Sequence, residues 1–197
     1  MKSRLAGCLC AALLAASHAG GQEDFAAIRI EIQRLGRLTS APAVHPAKIS
    51  GSPPESQALF FEGLPYQGKP TRVFARYRAP ADRNHKVPGI VLVHGGGGTA
   101  FAEWVRKWND HGFAAISIAL EGQTDEPAPS VEKGRLPWKR HEWAGPARQG
   151  IYSDSSAPLN DQWIYHAVAD AILANSLLRS FPEVDAGKIG LMGISWG

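Results

Sequence analysis

The 197-residue chain is 44% apolar and 20% charged, the balance of one ordinary globular domain rather than of a disordered or membrane-spanning protein. Its formal charge of +3 is partly owed to the first 19 residues, which hold Lys2 and Arg4 and no acid; without them 19 basic residues face 18 acidic ones, a balance of +1. That near-neutrality removes the electrostatic case for nucleic acid or an anionic membrane as a partner.

Lys2 and Arg4 precede the apolar run Leu5 to Ala16, and Ser17 and Ala19 occupy the minus-three and minus-one positions of a cleavage site after Ala19. Residues 1–19 therefore read as a secretory signal peptide, too short in its apolar part to be a stable membrane anchor, and the mature protein is expected to be secreted or periplasmic. Leu5-Ala6-Gly7-Cys8 imitates a lipidation box but precedes the apolar run instead of following it, so a lipid anchor is rejected. Both cysteines, Cys8 and Cys10, leave with the leader, so no disulfide is expected.

Residues 20–56 read as an N-terminal helix and a linker. Asp24 can cap a helix in which Phe25, Ile28, Ile32 and Leu35 form one apolar stripe, and 40–56, rich in Pro, Ser and Ala, reads as irregular. Residues 57–197 form the main unit. Ala58 to Glu62 and Thr71 to Arg78 are β-type runs separated by Gly63, Pro65, Gly68 and Pro70, the pattern of an antiparallel hairpin.

Strands and helices then alternate. Ile90 to Val93 is a buried strand, Phe101, Trp104, Val105 and Trp108 mark a helix face ended by Gly112, and Phe113 to Leu120 is a second buried strand. A long helix from Asn160, a candidate N-cap, carries Ile164, Val168, Ala171 and Ile172 on one face and ends near Phe181-Pro182. Lys188 to Met192 is the third such strand. The expected fold class is α/β: an antiparallel hairpin leading into a mostly parallel sheet with flanking helices. Residues 121–158 form a loop far longer than usual α/β connections, either a lid or substrate wall or a surface excursion.

The last strand runs into Gly193-Ile194-Ser195-Trp196-Gly197, or G-x-S-x-G. This is the strand-to-helix elbow that thrusts a nucleophilic Ser from the top of a sheet, and its glycines are required because side chains there would crowd the turn. His94-Gly95-Gly96-Gly97-Gly98 follows the first aliphatic strand. Acyl transfer builds negative charge on a carbonyl oxygen, and bare glycines let backbone N–H groups approach it. The expected oxyanion donors are the N–H groups of Gly96 and Trp196, with Gly97 as substitute. A structural Ser in a Gly-rich turn is the plain alternative.

A rival comes from another class, because Gly95, Gly97 and Ala100 satisfy a dinucleotide fingerprint and Glu121 ends the next strand where a ribose-binding acid could sit. It leaves His94, the hairpin and the Ser elbow unexplained. A P-loop is excluded, since no Lys-Ser or Lys-Thr closes the glycine run, and no HExxH or clustered His and carboxylate spacing suggests a metal. No cofactor is implied. His94 is read as a brace of the glycine loop and His111 and His166 as helix residues. In the long loop, Trp138, His141 and Trp143 are candidate substrate contacts, with loop anchoring equally open.

Three segments carry a family resemblance: Gly68-Lys69-Pro70-Thr71-Arg72-Val73-Phe74-Ala75; Val93 to Gly98 with Glu103-Trp104; and Ser180 to Asp185 leading to Ile189-Gly190 and the elbow. With them the chain resembles α/β-hydrolases of the acetyl xylan esterase and dienelactone hydrolase type. The resemblance implies a serine esterase that removes short acyl groups, such as acetyl groups on xylan, through an acyl-enzyme, with Ser195 as nucleophile and Gly96 and Trp196 as donors. Trp196 stands where acetyl xylan esterases usually have Gln, and the loop is all glycine where they carry an aromatic. The triad acid and His would follow position 197, so the chain ending there is expected to be inactive. Prolyl-oligopeptidase-like peptidases share a similar elbow, and a non-catalytic, exported carbohydrate-binding relative is the non-enzyme alternative. The expected partner is a small-molecule or carbohydrate ester.

Overall fold

A computed structural model describes residues 25–49, 56–81, 85–129, 137–150 and 152–197. The leader, Asp24, residues 50–55 of the linker and 130–136 of the long loop lie outside the described residues. Among the described residues no helix is long and apolar enough to cross a membrane.

The chain runs α1 (Phe25–Arg34), β1 (Val44–Pro46), β2 (Gln57–Glu62), β3 (Arg72–Arg78), β4 (Val87–Val93), α2 (Ala102–Asp110), β5 (Ala114–Ile118), β6 (Gln123–Pro127), β7 (Trp138–Arg140), α3 (Trp163–Ser180) and β8 (Val184–Gly193). Six strands form one sheet in the order β1-β2-β3-β5-β4-β8. The β1, β2, β3 and β5 neighbours pair antiparallel, whereas β4 pairs parallel with both β5 and β8. Both β4 and β5 are nearly continuous aliphatic runs because each is covered on both faces. Period-two alternation sends Val91 and Val93 into the core under α3, with Trp163, Ala167, Ala174, Leu177 and Leu178. Ile90 and Leu92 point the other way, onto Val105 and the half-buried Trp104 and Trp108 of α2.

The sequence expectation of an antiparallel hairpin followed by strand-helix alternation agrees with this order, and Gly112, at φ +83°, ends α2 as read. Three local readings change, while α1 lies on the outside of the fold as its sequence suggests. Part of the expected irregular linker is β1, whose Val44 and Pro46 pair with Phe61 and Leu59; Pro46 is tolerated because β1 is an edge strand. The long loop is partly ordered by the β6–β7 hairpin. Helix α3 begins at Trp163 instead of Asn160, because its first free N–H, that of Trp163, donates to Asp154 Oδ2 at 2.6 Å; Asn160 sits in a separate 3-10 turn. In α1 no residue is buried, and only Leu35, in the following 3-10 turn, reaches the core, against Tyr165 and Ala169.

Ile164, Val168, Ala171 and Ile172 do share one face of α3, but only Ala171 and Ile172 are packed against core residues. Ile164 and Val168 are each 43% exposed and, with Leu191 and Trp196, line an apolar hollow of about 430 Å³. Helix α3 is apolar nearly all round, so its periodicity does not choose a face.

One buried acid on α3 works against this packing. Asp170 is pushed up to about 8 by burial, so it folds as a neutral carboxyl. The unfolded chain gives up that proton near its ordinary value of 3.8, so folding above that pH must take the proton back. The associated stability is full below about pH 4 and is lost as pH rises toward 8. Asp170→Asn keeps the shape and removes this cost. It should stabilise the protein at pH 7 by up to about 4 kcal/mol and give little gain at pH 4, as read by denaturant melts at the two pH values.

Candidate functional site

Strands β4 and β8 are parallel neighbours in a register that sets Val93 beside Gly193, so the turns that follow them leave the sheet at one level. After β8 the chain turns at once: Ile194 N–H donates to Val93 O at 3.2 Å, and Gly197 N–H donates back to Ile194 O at 3.1 Å. Ser195 is held at φ +58°, the left-handed region that costs an L side chain energy, and its residue is exposed. A Cβ on Gly193 would overlap the backbone of Gly197, and one on Gly197 would overlap the carbonyl oxygen of Val93. The turn is closed at both ends by atoms that leave no room for a methyl group.

The glycine loop after β4 is pressed against this turn. A Cβ on Gly95 would lie 2.8 Å from Ile194 O and 3.0 Å from Ser195 Cβ, so bare backbone there is what lets the two turns meet. Gly97 adopts φ +77°, its N–H points to Glu121 Oε1 at 3.5 Å, and its carbonyl accepts from Trp138 Nε1 at 3.0 Å. Among the described residues the Gly96 and Trp196 amides make no hydrogen bond.

His94 braces the loop from below. Its Nε2 accepts Leu120 N–H at 2.9 Å, which places the ring proton on Nδ1, 2.6 Å from Gly95 O. Burial lowers its pKa, so the ring is a neutral strut whose two nitrogens are spent on backbone. The Gln123 amide donates to Gly98 O at 2.7 Å, and its oxygen accepts Glu121 N–H at 2.8 Å.

Glu121, buried at the end of β5, is the second support. Its carboxylate takes Arg148 Nε at 3.2 Å as well as the Gly97 amide, while its carbonyl accepts from Arg140. Glu121 is thereby committed within the protein rather than left open for a ribose. Sequence reading did not single out Gln123 or Arg148. The available signal was the polar step Glu121-Gly122-Gln123 directly after an apolar parallel strand, where side chains reach the sheet's functional end.

The three candidate substrate contacts of the long loop separate. Trp138 reaches the glycine loop through the bond to Gly97 O. His141 and Trp143 instead set their rings on Phe60 of β2, with centroids 4.9 and 5.9 Å away, and Arg72 of β3 covers Trp143 at 4.2 Å. His141 is pushed down to about 4 by burial and by the nearby Arg140 and Arg72, so it is neutral at pH 7. These contacts are those of loop anchors on the antiparallel side of the sheet.

The steric closure of the elbow is directly testable. Gly197→Ala should destabilise the protein by at least about 2 kcal/mol, since the added methyl must displace backbone. Gly190→Ala in the same strand places its Cβ in ordinary contact, 4.0 Å from Ile90 Cδ1, and should cost well under half as much in the same thermal melt.

With this geometry in hand, the likenesses to known proteins are specific. The chain matches the family model Acetyl xylan esterase (AXE1) over residues 18–197. Among solved structures it is similar to acetyl xylan esterase 1 from Thermoanaerobacterium sp. JW/SL YS485, with 19% identity and a TM-score of 0.57 over 84% of this chain and 50% of that one. It is also similar to the acetyl xylan esterase from Paenibacillus sp. R4, with 18% identity and a TM-score of 0.57 over 83% of this chain and 50% of that one. No curated relative matches by sequence. At these identities the solved structures show the fold, an α/β-hydrolase sheet with flanking helices, and the chain spans about half of their length. The family model, by contrast, covers nearly all of the chain, and the chain belongs to the acetyl xylan esterase family.

Proposed function

We propose that this chain carries the nucleophile and oxyanion site of a secreted or periplasmic serine esterase that removes short acyl groups, acetyl above all, from carbohydrate such as xylan. The observation that carries this reading is the exposed Ser195 at φ +58° beside the bare backbone of Gly95. The family match supports the substrate class.

In the proposed reaction Ser195 Oγ attacks the ester carbonyl carbon, and the electron pair of the C=O bond moves onto oxygen. Gly96 and Trp196, whose amides have no partner among the described residues, donate to that oxyanion. Gly97, whose N–H is turned to Glu121, is the weaker candidate. The alcohol leaves with a proton, and water then releases the acyl group from Ser195.

The Ser195 proton needs a base. His94 is spent on Gly95 and Leu120, His141 packs on Phe60, and His166 Nε2 bonds to Asn160 O at 2.8 Å. In the chain order Ser, acid, His that the family resemblance implies, the base would be a His beyond position 197, oriented by a carboxylate that precedes it. No metal or cofactor has a step in this mechanism.

A fluorophosphonate applied to the full-length protein should label Ser195, and Ser195→Ala should abolish labelling and lower acetate release from acetylated xylan by at least about 10⁴-fold. An adduct mapped to any other residue overturns the assignment.

A further inference from the structure

Arg148 lies between β7 and α3, and almost every part of its side chain is held. Nε donates to Glu121 Oε1 at 3.2 Å and Nη1 to Gly150 O at 2.9 Å. The guanidinium carbon stands 5.9 Å from the rings of both Trp163 and Trp196, within cation–π range of each. Nη2 remains, and it makes no hydrogen bond with any described residue. It stands over Gly96, 2.8 Å from where a Cβ would be, and Trp196 Cδ1 lies 3.2 Å from that same point.

This places a donor edge that has no partner among the described residues against Gly96 and the Trp196 indole, on the loop that meets the elbow. Gly95, the residue before Gly96, sets the same loop against the elbow, its Cβ position lying 3.0 Å from Ser195 Cβ. A side chain at position 96 would push the guanidinium end of Arg148 aside and crowd the Trp196 indole.

The local charge is also uneven. The Glu121 side chain is 2% exposed and Arg148 20%, so the acid is sealed while part of the cation is open to solvent. Arg140, which donates to the Glu121 carbonyl, also feels the charge of this carboxylate, so two guanidiniums share one acid, with His94 neutral. A planar guanidinium with a free edge and net positive surroundings recognises carboxylates.

We infer that Arg148 is a substrate-binding residue that makes the Ser195 site prefer esters bearing a carboxylate close to the scissile bond. The carboxylate can belong to the acyl part, as in a hemiester of a dicarboxylic acid, or to the alcohol part, as in an acylated uronic acid. It takes no part in bond making; Nη2 holds it while Ser195 attacks. The inference rests on Ser195 being the nucleophile.

The test uses the full-length protein with paired esters. A 4-nitrophenyl hemisuccinate is compared with its methyl ester, and an O-acetyl glucuronic acid with the matching O-acetyl glucose. We expect kcat/KM to favour the charged member of at least one pair by about tenfold or more. The pair that responds identifies which part of the ester carries the carboxylate. Arg148→Gln should bring that ratio close to one, and Arg148→Lys should retain part of it as a point charge without the fork. A ratio near one in the wild type, or one unchanged in Arg148→Gln, overturns the inference.

A measurement on the wild type alone guards against a variant that does not fold. Succinate should slow labelling of Ser195 by a neutral fluorophosphonate, and succinamide should not; equal effects overturn the inference. Absence of any Ser195 label would instead overturn the esterase reading, so the two failures are distinct.

Discussion

Two backbone turns, one after β4 and one after β8, occupy space that a single methyl group on either would fill, and the placement of every group around Ser195 follows from that contact. The parallel register of Val93 with Gly193 brings the turns level, and Gly95 lets one lie on the other. Holding Ser195 in the left-handed region costs on the order of 1–3 kcal/mol. That strain persists because the hydrogen bonds from Ile194 to Val93 and from Gly197 to Ile194 close the turn over a core buried beneath it.

A run of four glycines has no side chains with which to hold itself in place, and it loses much conformational freedom on folding. The fold supplies the missing restraint from outside. The His94 ring, the Gln123 amide and the Trp138 indole hold its carbonyls, and the Glu121 carboxylate takes one of its amides. Because His94 and Glu121 are buried, their bonds act in a low-dielectric setting, where satisfied polar groups rigidify what they touch. The loop's shape is thus set by His94 after β4, Glu121 after β5 and the β6–β7 hairpin.

The long connection between β5 and α3 has two physical roles. His141 and Trp143 tie it down on the antiparallel half of the sheet through Phe60 and Arg72. Trp138 and Arg148 reach back to the glycine loop, and Asp154 caps the start of α3. Rigid anchoring on one side is what allows the other side to hold Trp138 and Arg148 at fixed positions against the glycine loop.

Short-range pattern was enough for much of this. Aliphatic runs marked the parallel strands, helical spacing and Gly112 marked α2, and two glycines around a Ser marked the elbow, because each depends on residues within a few positions of one another. Other features were not readable that way. The pairing of Val44 with Phe61, the capping of Trp163 by Asp154 and the meeting of Arg148 with Glu121 join groups 17, 9 and 27 positions apart. Which face of α3 meets the sheet was equally hidden, since a helix apolar on all sides carries no stripe to choose by. The amino-acid sequence alone marked the turn that carries Ser195, because the overlap of Gly193 with Gly197 arises within five residues. Only the tertiary structure decided what surrounds it, because side-chain partners are selected by which distant elements pack together.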